Sequence, residues 1–335
     1  MSRTVFLGTG HYVPEKIVKN AELAARMDTS DEWIQQRTGI QERRYVDFDK
    51  EPMGASDLGA RAAKAALANA GVSKDEIELV IYASLSPDRV FPGDGVLVQA
   101  KCDIPAGVPC LDIRNQCSGF LYGLSIADAF IKNGTYKKVL LVGAEVHSTG
   151  LDFSTRGRDV AVIFGDGAAA VVLGATDDPK RGLLGVTIHA DGRHADELHC
   201  SYPSSAQMPR VAADKLEEGA QFPVMNGRNV FKHAIVRMPE TLNKLLAQHS
   251  LAAKDIDLFV PHQANLRISE FVQAKLELPA DKVWNNIQKY GNTTAASIPL
   301  ALDEAVHAGK VKQGDLVAFA AFGAGFTWGA ALVRW

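Results

Sequence analysis

Three residues with complementary chemistry stand at landmarks of this chain: Cys117, His262 and Asn292. Cys117 follows the strand-like run Cys110-Leu111-Asp112-Ile113 and precedes Ser118-Gly119 at the start of a helical pattern. A thiol at a helix N-terminus meets unpaired backbone N–H groups and the positive end of the helix dipole, which favour the thiolate. The same N–H groups would hold a developing oxyanion. A buried structural cysteine is the competing reading; the polar run Arg114-Asn115-Gln116 ahead of it favours function. His262 follows Leu258-Phe259-Val260, at a strand's C-terminal end, where α/β proteins gather reactive groups. Asn292, in Tyr290-Gly291-Asn292-Thr293, reads either as a hydrogen-bond donor or as a simple helix cap. A thiol, an imidazole and a carboxamide together make a nucleophile with proton-handling and hydrogen-bonding partners.

An internal repeat brings these residues to one edge. The helical pattern that runs from Cys117 to Gly134 is echoed by one that runs from Asn292 to Gly309. The offset that relates 117 to 292 also relates Asp128 to Asp303 and Gly134 to Gly309. Leu67-Ala68 leads to Leu79-Val80-Ile81 as Leu246-Ala247 leads to Leu258-Phe259-Val260, with Lys74-Asp75 and Lys254-Asp255 in the connecting turns. Phe164-Gly165-Asp166-Gly167 is echoed by Phe322-Gly323-Ala324-Gly325. Repeated order of this kind marks a duplication. It would set Cys117 and Asn292 at equivalent helix N-termini.

Apolar periodicity predicts helices over 55–71, 118–133, 229–249, 266–276 and 295–308. Buried strands are expected at 79–84, 139–144, 160–164, 168–174, 256–260, 315–321 and 328–334. Alternating strands and helices predict an α/β fold with mainly parallel strands, covered on both faces. Two such halves, 1–176 and 177–335, packed through their central helices would give a five-layer α-β-α-β-α sandwich. The stretch 190–225, with Pro203, Pro209 and Pro223, reads as an irregular insertion, either a lid or substrate wall or a solvated crossover.

Composition narrows the function classes. The 36 basic and 39 acidic residues give a net charge of −3, which disfavours nucleic-acid binding. No apolar run is long enough to span a bilayer, and the N-terminal stretch reads as a strand rather than a signal peptide, so a cytosolic protein is expected. The four cysteines (Cys102, Cys110, Cys117 and Cys200) lack metal-site or disulfide spacing.

These motifs resemble the thiolase superfamily, most closely the β-ketoacyl-acyl-carrier-protein synthase III family. Val260-Pro261-His262-Gln263-Ala264-Asn265-Leu266-Arg267 resembles its histidine motif, and Gly291-Asn292-Thr293 with Ala295-Ala296-Ser297-Ile298-Pro299 its asparagine motif. Asp31-Glu32-Trp33-Ile34, Arg37-Thr38-Gly39-Ile40 and the closing segment 322–334 extend the likeness over essentially the whole chain. The resemblance implies a decarboxylative Claisen condensation. Cys117 would take an acyl group from acyl-CoA, and His262 and Asn292 would stabilise the enolate formed from malonyl-acyl-carrier protein. Backbone N–H groups of Cys117 and Ala324 would form the oxyanion hole. No metal or redox cofactor is implied, only the coenzyme A thioester as substrate.

Binding roles carry over by position. Trp33 and Arg37 share a helix face, and Trp33 with Arg158 would flank the CoA adenine. Asn265 would face the pantetheine arm, within the stretch Gln263, Ala264, Asn265 and Leu266 that would line the binding path, with Arg228 near that arm. Lys232 and Arg267 would meet phosphate and the acidic carrier protein. Phe322 would shield the enolate site. Phe91 would reach across a homodimer interface into the partner's acyl pocket. Departures from the family's pattern fall at Arg114-Asn115-Gln116, at Ala324 in place of Gly, at Arg228, at the lysine-poor helix after Arg267 and at the long 190–225 stretch. They leave the thiol chemistry intact and bear on the acyl chain and the second substrate. The rival readings are a relative that joins two acyl-CoA molecules or passes the acyl group to an amine or an alcohol, a thioesterase or cysteine hydrolase, and a non-catalytic dimerisation partner, against which the retained Cys117, His262 and Asn292 argue.

Overall fold

Runs of valine, isoleucine, leucine and alanine form strands buried on both faces, because helices cover each face. The computed structural model describes residues 2–335. One sheet holds β1 (Arg3–Tyr12), β2 (Leu79–Ala83), β3 (Cys110–Ile113), β4 (Lys138–Glu145) and β5 (Gly167–Thr176), in the spatial order β1-β5-β4-β2-β3. The other holds β6 (Gly182–Ala190), β7 (Leu258–Pro261), β8 (Leu316–Gly323) and β9 (Thr327–Arg334), in the order β7-β8-β9-β6.

Six helices matter for the site: α1 (Asp31–Thr38), α2 (Ala55–Ala70), α3 (Gly119–Lys132), α4 (Gly227–Gln248), α5 (Leu266–Lys275) and α6 (Ser297–His307). Helices α3 and α6 form the middle layer. Phe120 and Leu124 of α3 and Ile298 and Leu302 of α6 share one core with Ile81 and Leu141 of the first sheet and Val260 and Phe319 of the second. Each such fully buried side chain stabilises the fold by about 1.5–3 kcal/mol. Helix α2 packs on the outer face of the first sheet, and α4 and α5 pack on the outer face of the second. The result is the expected five-layer α-β-α-β-α sandwich.

Two expectations are corrected. The sheets are mixed: β2–β3, β2–β4 and β7–β8 are parallel, whereas β1–β5, β4–β5, β8–β9 and β9–β6 are antiparallel. Burial on both faces comes from the helix layers and does not report strand direction. The run 160–164 is not a strand. It begins in a helical turn, Arg158–Ala161, and only Phe164 makes a bridge, to Asn292. A short apolar run without periodicity fits a buried turn as well as a strand.

The 190–225 stretch carries a 3-10 turn at Gly192–Glu197, a small ladder of Leu198–His199 with Val224–Met225, and a short helix at Ala213–Glu217. It is fastened at two places. Asp191 and Phe326 exchange backbone hydrogen bonds of 2.8 and 2.9 Å, and Arg156 donates to the Glu218 carbonyl at 2.8 Å and to Asp152 at 2.6 Å. No helix among the described residues is long and apolar enough to cross a membrane.

Candidate active site

Cys117 sits in a 3-10 turn, Gln116–Ser118, that feeds directly into α3. The chain enters this turn through Gln116 with φ of 44°, a left-handed conformation that non-glycine residues seldom adopt. Gly323, the last residue of β8, lies against the thiol. A Cβ there would stand 2.6 Å from the Cys117 Cβ and 3.1 Å from its Sγ, so only glycine lets the strand end approach this closely. The N–H groups of Cys117 and of the next residue, Ala324, and the Asn292 side chain all act on the sulfur in the sense that favours its ionised form. Thr327 donates to the Ala324 carbonyl at 2.9 Å and lies 2.7 Å from the Ser118 hydroxyl, so the loop carrying Ala324 is tied to the turn carrying Cys117.

Asn292 reaches the same point from the second half. Its backbone N–H donates to the Ile163 carbonyl at 2.8 Å, and its carbonyl accepts from Gly165 at 3.1 Å. Its Oδ1 accepts the Thr294 N–H at 2.8 Å, which fixes the carboxamide so that the NH2 group faces the sulfur. Thr294 is also left-handed, with φ of 43°; its hydroxyl lies 3.2 Å from His147 Nε2. His262 follows β7, the strand paired with β8, whose last residue is Gly323. Its backbone N–H donates to the Ala320 carbonyl of β8 at 2.9 Å, and its Nδ1 lies 2.5 Å from the Ser297 hydroxyl. Its Nε2 is buried with no hydrogen-bond partner among the described residues.

Electrostatics correct one expectation. Burial, followed by the field of Glu145, pushes the Cys117 thiol up to about 12, and the three N–H donors only partly oppose this. Cys117 therefore rests as a thiol, with desolvation as the largest cause. Burial likewise pushes His262 down to about 3, so its imidazole is neutral.

The repeat also needs a change of register. The left-handed Gln116 matches the left-handed Thr294, and the 3-10 turn Gln116–Ser118 matches Thr294–Ala296. The positional counterpart of Cys117 is therefore Ala295, and Asn292 lies upstream of the turn. Helix α3 has 14 residues and α6 only 11. Their C-terminal ends keep the sequence offset, and the difference of about one turn falls at the N-termini. Asn292 is not the cap of α6.

The binding residues divide into those free to meet a ligand and those already engaged. Two guanidinium groups lie over Trp33 on α1, Arg37 at 4.5 Å and Arg158 at 4.8 Å from the ring centroid. Asp28 steadies Arg158 through its carbonyl at 2.8 Å. Arg228, Lys232 and Arg267 are exposed, and Arg267 lies over the Phe231 ring at 5.7 Å. Phe322 is buried, 4.7 Å from Phe326, and Phe91 is 81 % exposed. Leu266 packs with Trp33 around the core near α1, and Ala264 packs on the core under α4.

Gln263 departs from its expected binding role. It donates to the carbonyls of Pro261 and Trp284 and accepts from the N–H groups of Asn286 and Ile287, which uses the whole amide inside the protein. Asn265 caps α5 and donates to the Arg37 carbonyl at 2.8 Å, so its amide is engaged too. Sequence reasoning gave no role to Ser297, Thr294, Gly323, Thr327 or Glu145. A lone hydroxyl among the apolar neighbours Ala295, Ala296 and Ile298 was the signal for Ser297.

The model of the 3-oxoacyl-[acyl-carrier-protein] synthase III family matches residues 111–192, and the model of that family's C-terminal part matches 246–335. A beta-ketoacyl-[acyl-carrier-protein] synthase III of Rhodospirillum centenum is 45% identical over 337 residues, covering 99% of both chains. The chain belongs to the 3-oxoacyl-[acyl-carrier-protein] synthase III family. The synthase III from Aquifex aeolicus superposes with a TM-score of 0.90 at 42% identity, covering 99% of this chain and 100% of that one. The Thermus thermophilus structure gives 0.89 at 40% identity, covering 99% of each. As a synthase III family member, the chain is an acyl-transferring condensing enzyme, and its five layers are the family's fold.

Proposed function

We propose that the chain acylates Cys117 from acyl-CoA and then condenses the acyl group with malonyl-acyl-carrier protein. The observation that carries this reading is the buried Cys117 thiol packed against Gly323, with Asn292 and the Ala324 N–H acting on the sulfur, together with a buried, neutral His262 whose Nε2 has no protein partner among the described residues. In the first step the Cys117 sulfur bonds the acyl carbon, the bond to the CoA sulfur breaks, and the thiol proton leaves with CoA. The Cys117 and Ala324 N–H groups receive the oxyanion. In the second step the bond to the malonyl carboxylate breaks as CO2, and its electron pair forms an enolate facing His262 and Asn292. Each such preorganised donor contributes about 3–4 kcal/mol to the barrier. The enolate carbon attacks the thioester, the 3-oxoacyl product stays on the carrier protein, and the released thiolate takes a proton from water. No step requires a metal or redox cofactor.

Trp33 and Arg158 would hold the adenine, with Arg37 on the other side of the indole. Arg228, Lys232 and Arg267 would meet phosphate and the acidic carrier. A surface cavity of about 460 Å³ beside them, lined by Phe231, Arg267, Phe271 and Lys275, supports docking there. The edge strand β3, with exposed Leu111, and the protruding Phe91 support a homodimer in which Phe91 enters the partner's acyl pocket. A cytosolic setting fits these substrates.

The test is mass spectrometry of the intact enzyme after incubation with acyl-CoAs of graded chain length, followed by CO2 release on adding malonyl-acyl-carrier protein. An acyl adduct on Cys117 and stoichiometric CO2 are expected. His262→Ala should keep the adduct and slow CO2 release about 10²–10³-fold. Free acid as the main product would make the chain a hydrolase, and product without CO2 would indicate a different acceptor.

A further inference from the structure

We propose that the Ser297 hydroxyl fixes His262 as its Nε2–H tautomer, and so acts as the positioning residue that turns this imidazole into a donor towards the reacting centre. The proposal deepens the enolate role given to His262 and rests on that reading for its catalytic consequence. The tautomer itself is a property of the resting protein.

A neutral imidazole carries one ring proton, and the partner of one nitrogen decides which nitrogen keeps it. Both side chains are buried, His262 at 3 % and Ser297 at 2 % exposure, so protein groups make that choice. Ser297 Oγ lies 2.5 Å from His262 Nδ1. A serine hydroxyl has one proton to give and two lone pairs to accept with. The Gln263 backbone N–H approaches Oγ at 3.5 Å, and that contact can only be accepted. The Ser297 backbone N–H is bonded to the Thr294 carbonyl. His262 Nδ1 is then the one acceptor that the hydroxyl proton meets among the described residues. With the proton on Nδ1 instead, two ring and backbone donors would crowd Oγ and the hydroxyl proton would be buried without a partner, an arrangement that folded proteins avoid. Nδ1 therefore accepts, and the remaining proton sits on Nε2, the nitrogen with no protein partner.

The placement is particular to the second half. Ser297 is the first residue of α6, as Gly119 is of α3. The duplicated scaffold thus carries a hydroxyl at one helix start and nothing at the other. The hydroxyl stands on the side where a histidine must be oriented.

The test begins with the unmodified full-length enzyme. Nitrogen NMR of histidine-labelled protein, with the His262→Asn variant used to identify the resonance, should show the ring proton on Nε2 and a bare, hydrogen-bonded Nδ1. A proton found on Nδ1 overturns the proposal without any reference to activity. Ser297→Ala should give a mixture of tautomers and slow CO2 release from malonyl-acyl-carrier protein about 10–100-fold, with the rate of Cys117 acylation unchanged. Unchanged tautomer and CO2 release in that variant would also overturn it. If His262→Asn leaves CO2 release intact while the Nε2 proton is found as expected, the enolate role fails and the tautomer assignment stands.

Discussion

The turn at 116–118 and the turn at 294–296 are the same piece of backbone carrying different side chains. Each enters through a left-handed residue, Gln116 at 44° and Thr294 at 43°, and each launches a central helix. One carries Cys117 and glycine after it. The other carries Ala295, sends its hydrogen-bonding groups outward from Asn292 and Ser297, and anchors Thr294 on His147. The pseudo-symmetry supplies a common edge, and the chemistry comes from how the halves differ.

The largest way to break the comparison is to remove the nucleophile. Cys117→Ser should abolish the acyl adduct and lower turnover by at least about 10³-fold, read by mass spectrometry and product assay. A covalent acyl group persisting on another residue would show that the other half can serve. Next is the contact that lets the halves meet. Gly323→Ala puts a methyl group 2.6 Å from the Cys117 Cβ and should cut acylation about 10²-fold through misplacement of the thiol, with Trp33-dependent CoA binding little changed.

A pH measurement tests the resting state of the same turn. A thiol pushed up to about 12 ionises further with every unit of rising pH, so alkylation of Cys117 by iodoacetamide should climb through pH 7 to 10 without a plateau. A plateau near pH 8 would show that the helix terminus outweighs burial after all. A smaller effect, about 2–30-fold on the KM for acyl-CoA with kcat retained, is expected for Arg158→Ala, which removes one cation over Trp33.

The smallest effect sharpens the comparison most. Replacing a left-handed residue by glycine relieves about 1–2 kcal/mol of backbone cost. Gln116→Gly should therefore hold or raise the melting temperature. Thr294→Gly gains the same relief but strands the buried His147 Nε2, at about 1–3 kcal/mol, and should hold or lower it. Equal shifts in the two variants would mean that the Thr294 hydroxyl carries no structural load.

Much of this was legible before the fold was known. The helix expected at 118–133 is Gly119–Lys132, and the one expected at 266–276 is Leu266–Lys275, because apolar periodicity and end residues define both. Cys117 and His262 stood out because each follows a strand, and Asn292 because the repeat pointed to it. Strand direction was not legible, since helices bury both faces whichever way a strand runs. The counterpart of Cys117 was misjudged because matched residues at the helix C-termini, Asp128 with Asp303 and Gly134 with Gly309, say nothing of a turn lost at the other end. Gln263 was misread because a conspicuous motif does not reveal whether an amide points outward or is consumed by the neighbouring Asn286 and Ile287.

The long segment after β6 is buttoned to the closing hairpin through Asp191 and Phe326, and to the nucleotide-side loop through Arg156. That loop also carries Arg158, only two positions further along the chain. A span held at both shores cannot sag in the middle without tugging on each bank. Loosening this bridge at one end should therefore also shift the loop that carries Arg158 beside Trp33, so a change made at one anchor would be felt at the other.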